Sequence, residues 1–145
     1  MTMIRNISTA VALVKVSGPT VAGTTTITPT AIDVSAYDAD GIMFFTSFGT
    51  GAAGNKMYAH DSDDNSAFND IAASTVTPGS TEPQQFIDIP MPQHRYVGPV
   101  FLRGTSTTIG DVWALLYRIR KEPVNNNVVG TMQGLLLVNP ADGTR

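Results

Sequence analysis

The sequence predicts an all-β chain: a jelly-roll-like antiparallel β-sandwich, single domain, with extended termini. Three observations predict it. Short apolar or Thr-rich runs recur along the chain, separated by turn-forming clusters about every eight to twelve residues. β-Branched and aromatic residues fill those runs, as strands require. A length of 145 residues with 42% hydrophobic content supports one real core and leaves little room for two. The chain divides into an N-terminal arm (1–9), a sandwich domain (10–122) and a C-terminal segment and tail (123–145).

In chain order, Met1 to Ser8 is polar enough for a loose arm or an edge segment. Ala10 to Val16 is β-branched and apolar, and Ser17-Gly18-Pro19 ends it because proline lacks the donor a ladder needs. Val21 to Thr28 is Thr-dominated and reads as an exposed or edge strand. Thr30 to Val34 is a further short strand, and Tyr37 anchors the following turn against the core. Gly41 to Ile71 organises the rest. Ile42 to Phe45 forms a strand, Gly49, Gly51 and Gly54 form a flexible hairpin turn, and Lys56 to His60 returns. Asp61 to Ser66 cannot extend that strand, since nearly every residue prefers a turn. A short strand follows.

Ala73 to Pro83 is a polar, exposed loop rich in Thr, Ser, Pro and Gly. Gln85 to Ile89 alternates as a strand, closed by Pro90 and Pro92. Tyr96 to Leu102 is a strand in which Gly98-Pro99 marks a bulge or an edge position. Gly104 to Gly110 is a Thr/Ser turn. Asp111 to Ile119 has two readings, strand or short amphipathic helix. Strand is favoured because Gly110 precedes it, Pro123 follows it and β elements surround it. Pro123 to Asn127 is a linker, and Val128 to Val138 ends in the apolar GLLLV.

Only 14% of residues are charged, against about 25% in soluble domains, so Thr, Ser, Asn and Gly must finish the surface or other subunits must cover part of it. A net charge of −3 with scattered Lys and Arg gives no basic footprint for nucleic acid. The absence of cysteine excludes disulfides, thiolate metal sites and cysteine nucleophiles. The N-terminal VALV run is too short for a signal-peptide core, and no run is long enough to span a membrane.

The chemistry-bearing candidates resolve into structure. Asp61, Asp63 and Asn65 are in register for a calcium loop, but Ser66 stands where its Gly belongs and Ala72 where its Glu belongs. An Asx turn with solvated carboxylates is the better reading, with Asp63, Asp64 and Asp70 fixing the backbone and Phe68 plugging the core. His60 and His94 lack zinc-ligand spacing and a motif-linked nucleophile. The Gly49-x-Gly51-x-x-Gly54 spacing lacks the following helix that binds phosphate. No nucleophile, base and orienting group assemble from motifs, so an enzyme is not expected, and neither is a cofactor or a metal.

Two segments carry a resemblance. Ser62-Asp63-Asp64-Asn65-Ser66-Ala67-Phe68-Asn69-Asp70-Ile71 resembles the S-D-D-G-S-T-W-x-D-V segment of small capsid-associated proteins of tailed bacteriophages. His94-Arg95-Tyr96-Val97 resembles their K/R-R-Y-V stretch. Residues 31 to 119 are covered, with Asn65, Phe68 and Ala67 departing from Gly, Trp and Thr. The resemblance implies a decoration, or cement, protein. Such a protein is made in the host cytoplasm and assembles as a homotrimer on the outer capsid surface. It would clamp the major capsid protein, with no nucleic acid or membrane partner. The contact residues expected are Met3, Ile4 and Ile7 of the arm and Val128, Val129, Leu135, Leu136 and Leu137 of the C-terminal segment, because extended termini suit strand addition; the alternative is that both segments simply complete the sandwich. The rival class is a carbohydrate- or receptor-binding module using an aromatic face or the loop 73–83.

Overall fold

A computed structural model describes residues 6–120, 124–128 and 130–134. Ten strands form two four-stranded sheets and a two-stranded ribbon, all antiparallel. The first sheet has the order β1 (Ala12–Ser17), β10 (Val112–Ile119), β4 (Ala39–Ser47), β7 (Gln84–Pro90). The second has the order β3 (Ile32–Asp33), β8 (Tyr96–Arg103), β5 (Asn55–Ser62), β6 (Asn69–Asp70). The ribbon pairs β2 (Thr20–Gly23) with β9 (Thr107–Ile109). The fold is the all-β sandwich the sequence predicts.

Alternation of side chains places the core. Ile42 and Phe44 of β4 with Ala114 and Leu116 of β10 meet Met57 and Ala59 of β5 with Val97 and Phe101 of β8 in one buried cluster. Phe48, just past β4, closes it edge-to-face on Phe101 at 6.0 Å between ring centroids. The expected Asp111 to Ile119 strand forms as β10, and it runs through the middle of the first sheet between β1 and β4.

Several boundaries differ from expectation for identifiable reasons. Ile7–Ala10 winds into one helical turn, α1, so the first strand starts at Ala12. Val34–Tyr37 is a 3-10 turn, capped by the Asp33 carboxylate, which accepts from the Ser35 and Ala36 amides. Tyr37 packs against the core as expected. Residues 107–109 of the expected Thr/Ser turn pair with β2 instead.

The Gly-rich segment is not a hairpin turn. β4 and β5 belong to different sheets, so residues 48–54 carry the chain from one sheet to the other. Glycine is required there by close approach. A Cβ on Gly51 would overlap the Gly79 carbonyl oxygen, and the Gly54 carbonyl accepts from the Gly104 amide at 2.9 Å.

Gly98-Pro99 makes neither a bulge nor an edge. β8 is an interior strand with unbroken register, Gly98 opposite His60 and Pro99 opposite Ala59. The Phe101 amide donates to the Ile27 carbonyl, and Pro99, two residues earlier, faces the same side. There the passing chain between Ile27 and Ile32 makes no ladder bridge to β8, so the missing donor costs nothing.

Arg103 ends β8 inside the protein, 4% exposed. Its guanidinium donates to the backbone carbonyls of Thr25 (2.6 Å), Val21 (2.8 Å) and Thr107 (3.0 Å). One side chain thereby fastens both ribbon strands to the second sheet. Truncation would leave three inward carbonyls without their donor. We expect Arg103→Met to lower stability by about 3 kcal/mol or more in urea titration. Amide exchange at residues 20–23 and 107–109 should quicken, and a loss under about 1 kcal/mol would remove this role.

Candidate functional site

The outward side of the first sheet is the surface that stands out. Outward residues of a sandwich strand are ordinarily polar. Here the cross-strand rows are Lys15–Trp113–Phe45–Phe86 and Leu13–Leu115–Met43–Asp88. Trp113, Phe45, Leu13, Leu115 and Met43 are half-buried, and Phe86 is 64% exposed. Tyr117 lies over Gly41, where no Cβ fits, and its hydroxyl donates to Asp88 at 2.6 Å. Burial and that carboxylate push the tyrosine up to about 12. Lys15 is tied to Asp111 at 3.0 Å and lies 5.9 Å from the Trp113 ring. The charges at the rim are thus engaged, leaving the centre apolar. Around Trp113, Phe45 and Phe86 the surface dips into a shallow depression of about 410 Å³, edged by Ser47, Gln84 and Asp111.

The sequence signal for this face was present as continuous apolar runs in β4 (IMFF) and β10 (VWALL), which mark strands covered on both faces. The expected contact residues lie elsewhere or beyond view. Met3, Ile4, Val129, Leu135, Leu136 and Leu137 fall outside the described residues. Ile7 is exposed on α1, and Val128 is half-exposed and bridges Met132.

The two terminal segments meet beside β1. The Asn126 side chain accepts from the Leu13 amide (2.9 Å) and donates to the carbonyls of Val11 (2.8 Å) and Ser8 (2.9 Å). The Val124 amide donates to the Thr9 carbonyl at 2.8 Å. A side-chain amide offers the same donor–acceptor pair as a peptide group, so Asn126 occupies the edge of β1 as a neighbouring strand would. Leu13 begins one apolar row, so the terminal junction and the apolar face adjoin.

The acidic corner divides its roles. Asp64 alone builds the turn: its carboxylate accepts from the Ser66 and Ala67 amides at 2.9 Å and from the Ser62 and Ser66 hydroxyls. Those bonds hold it well below the usual carboxylate range. Asn65 adopts φ 60°, a conformation asparagine tolerates. Asp63 pairs with His94 at 3.0 Å, and Asp70 is exposed on β6. Phe68 does not plug the core. It stacks on His60, 4.3 Å between centroids, outside the second sheet, because the turn delivers it to the face His60 shares. Among the described residues no three His, Cys, Asp or Glu side chains are placed to hold a metal ion, and no helix is long and apolar enough to cross a membrane.

Compared with known proteins, the chain matches no family model, and no curated protein is similar to it in sequence. Its surfaces therefore speak from their own geometry.

The Asn126 and histidine contacts can each be tested directly. Asn126→Ala should cost about 1–2 kcal/mol in thermal unfolding. Asn126→Asp should cost at least as much, since a carboxylate cannot donate to Val11 and Ser8. Unchanged melting in both would show the amide to be incidental. The two histidines should titrate on opposite sides of the ordinary 6.5 in an NMR titration. Burial lowers His60 despite Asp70 and Asp61, so its contribution is intact above 6.5 and lost as pH falls. The Asp63 hydrogen bond raises His94, so its contribution is present below 6.5 and lost as pH rises through the raised value. Asp63→Asn should return His94 toward 6.5 and leave His60 in place.

Proposed function

We propose that the chain is a structural assembly protein, decorating the outer surface of a tailed-phage capsid as an oligomer bound to major capsid subunits. One observation carries the assembly part: the uncharged outward centre of the first sheet, made of Trp113, Phe45, Leu115, Met43, Leu13 and Phe86. Aromatic residues, Met and Leu with engaged rim charges are the composition of a protein-interface core. The low charge of the whole chain supports the same reading. The capsid setting rests on the resemblance of residues 62–71 and 94–97.

A glycan-binding reading is favoured by the single row Trp113–Phe45–Phe86 over its shallow depression. The adjoining aliphatic row, Leu13–Leu115–Met43, offers apolar side chains and no hydrogen-bonding groups for sugar hydroxyls, which suits a protein partner better than a sugar ring.

The test is co-sedimentation with purified, expanded phage heads. Trp113→Ser combined with Leu115→Ser should weaken binding more than about tenfold while leaving the circular dichroism spectrum intact. Full binding by the folded double variant would overturn the docking face. A glycan-array signal lost in the same variant would transfer the face to carbohydrate.

A further inference from the structure

We infer that the free edge of β7 is a strand-addition site, and that it takes the apolar run Leu135–Val138 of a second copy of this chain. The inference rests on the assembly reading above and names the contact that builds the oligomer.

The edges of the two four-stranded sheets differ sharply. β1 is blunted by the Asn126 amide. β3 and β6 are two residues long, and beyond them single bridges, Ile27 to Phe101 and Val76 to Met57, already bring other segments alongside β8 and β5. β7 is different: seven residues, paired with β4 through its whole length, with its other edge open among the described residues. Such an edge is a template for another strand unless charge, a bulge or a proline protects it. β7 has no lysine, and its one charge, Asp88, is bonded to Tyr117. Its register with β4 is regular, and Pro90 stands only at its end.

A strand laid beside β7 would meet Ile87 on the inward face and Phe86 on the outward one. It must be apolar on both faces, so it must be a continuous apolar run, as in β4 and β10. Leu135-Leu136-Leu137-Val138 is such a run, and it carries no charge.

Distance decides whose run it is. Gly134 lines the same small cavity as Leu13, at the β1 side of the sheet, and its amide donates to Asn127. From β1 to β7 is three strand spacings, about 14 Å. Four extended residues reach about 14 Å at most. A chain's own run would be used up in crossing to β7, leaving nothing to lie along it. The run of a neighbouring copy has no such limit. Because the donated run and the accepting edge are different surfaces, the contact is head-to-tail and closes as a ring when the rotation allows.

The test compares the full chain with a variant ending at Gly134, by light scattering and hydrogen exchange. The full chain should have a mass that is a multiple of the protomer's, and the β7 amides turned away from β4 should exchange slowly. The shortened chain should be a monomer in which those amides exchange at least about tenfold faster. A peptide of residues 134–140 added to it should restore slow exchange at β7. Phe86→Lys in the full chain should reproduce the monomer. A monomeric full chain, or a shortened chain that keeps its mass and its β7 protection, would overturn the strand addition. If it is overturned while Trp113→Ser with Leu115→Ser still abolishes capsid binding, the docking reading stands without it.

Discussion

The placement of β10 between β1 and β4 is the constraint on which the sandwich depends. It is the last strand described, yet it lies at the centre of its sheet, paired on one side to Leu13 and Lys15 and on the other to Met43 and Phe45. Its inward residues Val112, Ala114 and Leu116 are fully buried. The first sheet is therefore incomplete until the chain has been made as far as Ile119. Contacts of such long separation close slowly, because the loop entropy is spent before packing repays it. The terminal segments then gather at the edge that β10 has completed.

The other half is built by crossing back and forth. The chain visits the first sheet at β1, β4, β7 and β10, and the second between those visits. Among the described strands, only β5 and β6 pair as immediate neighbours in sequence, through the Asp64 turn. This places Arg103 and the close backbone contacts of residues 48–54 in structural roles: they fix where a crossing chain passes its neighbour, a task no ladder performs.

Local chemistry was legible in the sequence and long-range delivery was not. The period-2 alternation of Gln85 to Ile89 is realised in β7; of the turn expected over Asp61 to Ser66, residues 63–66 turn through Asp64, while Asp61 and Ser62 extend β5 because Val97 and Tyr96 pair with them. Pro and Gly at the ends of Asp111 to Ile119 favoured the strand that forms. Whether Gly49 to Gly54 reverses a strand or carries it to another sheet depends on where Gly79 and Gly104 lie, and those are remote in sequence. Phe68 and Pro99 failed for a related reason: residue type fixes what a side chain prefers, while the neighbour it meets is set by the fold. The outward apolar face was readable only as runs such as IMFF and VWALL. The pairing that aligns them into rows comes from register. Asn126 and Arg103 gave no signal, since an asparagine in a linker and an arginine at a strand end are ordinary.

Arg103 sets the two ends of the molecule apart in their response to acid. Its acceptors are backbone carbonyls, which do not titrate. At the end holding the 3-10 turn, one tie runs through a carboxylate instead: Asp33 with Arg95 at 2.7 Å. Asp33 is held below its ordinary range chiefly by Arg95, so its contribution is present above about 3.8 and fades as pH falls. Acid thus weakens the Asp33–Arg95 tie at one end, while the Arg103 contacts at the other do not titrate.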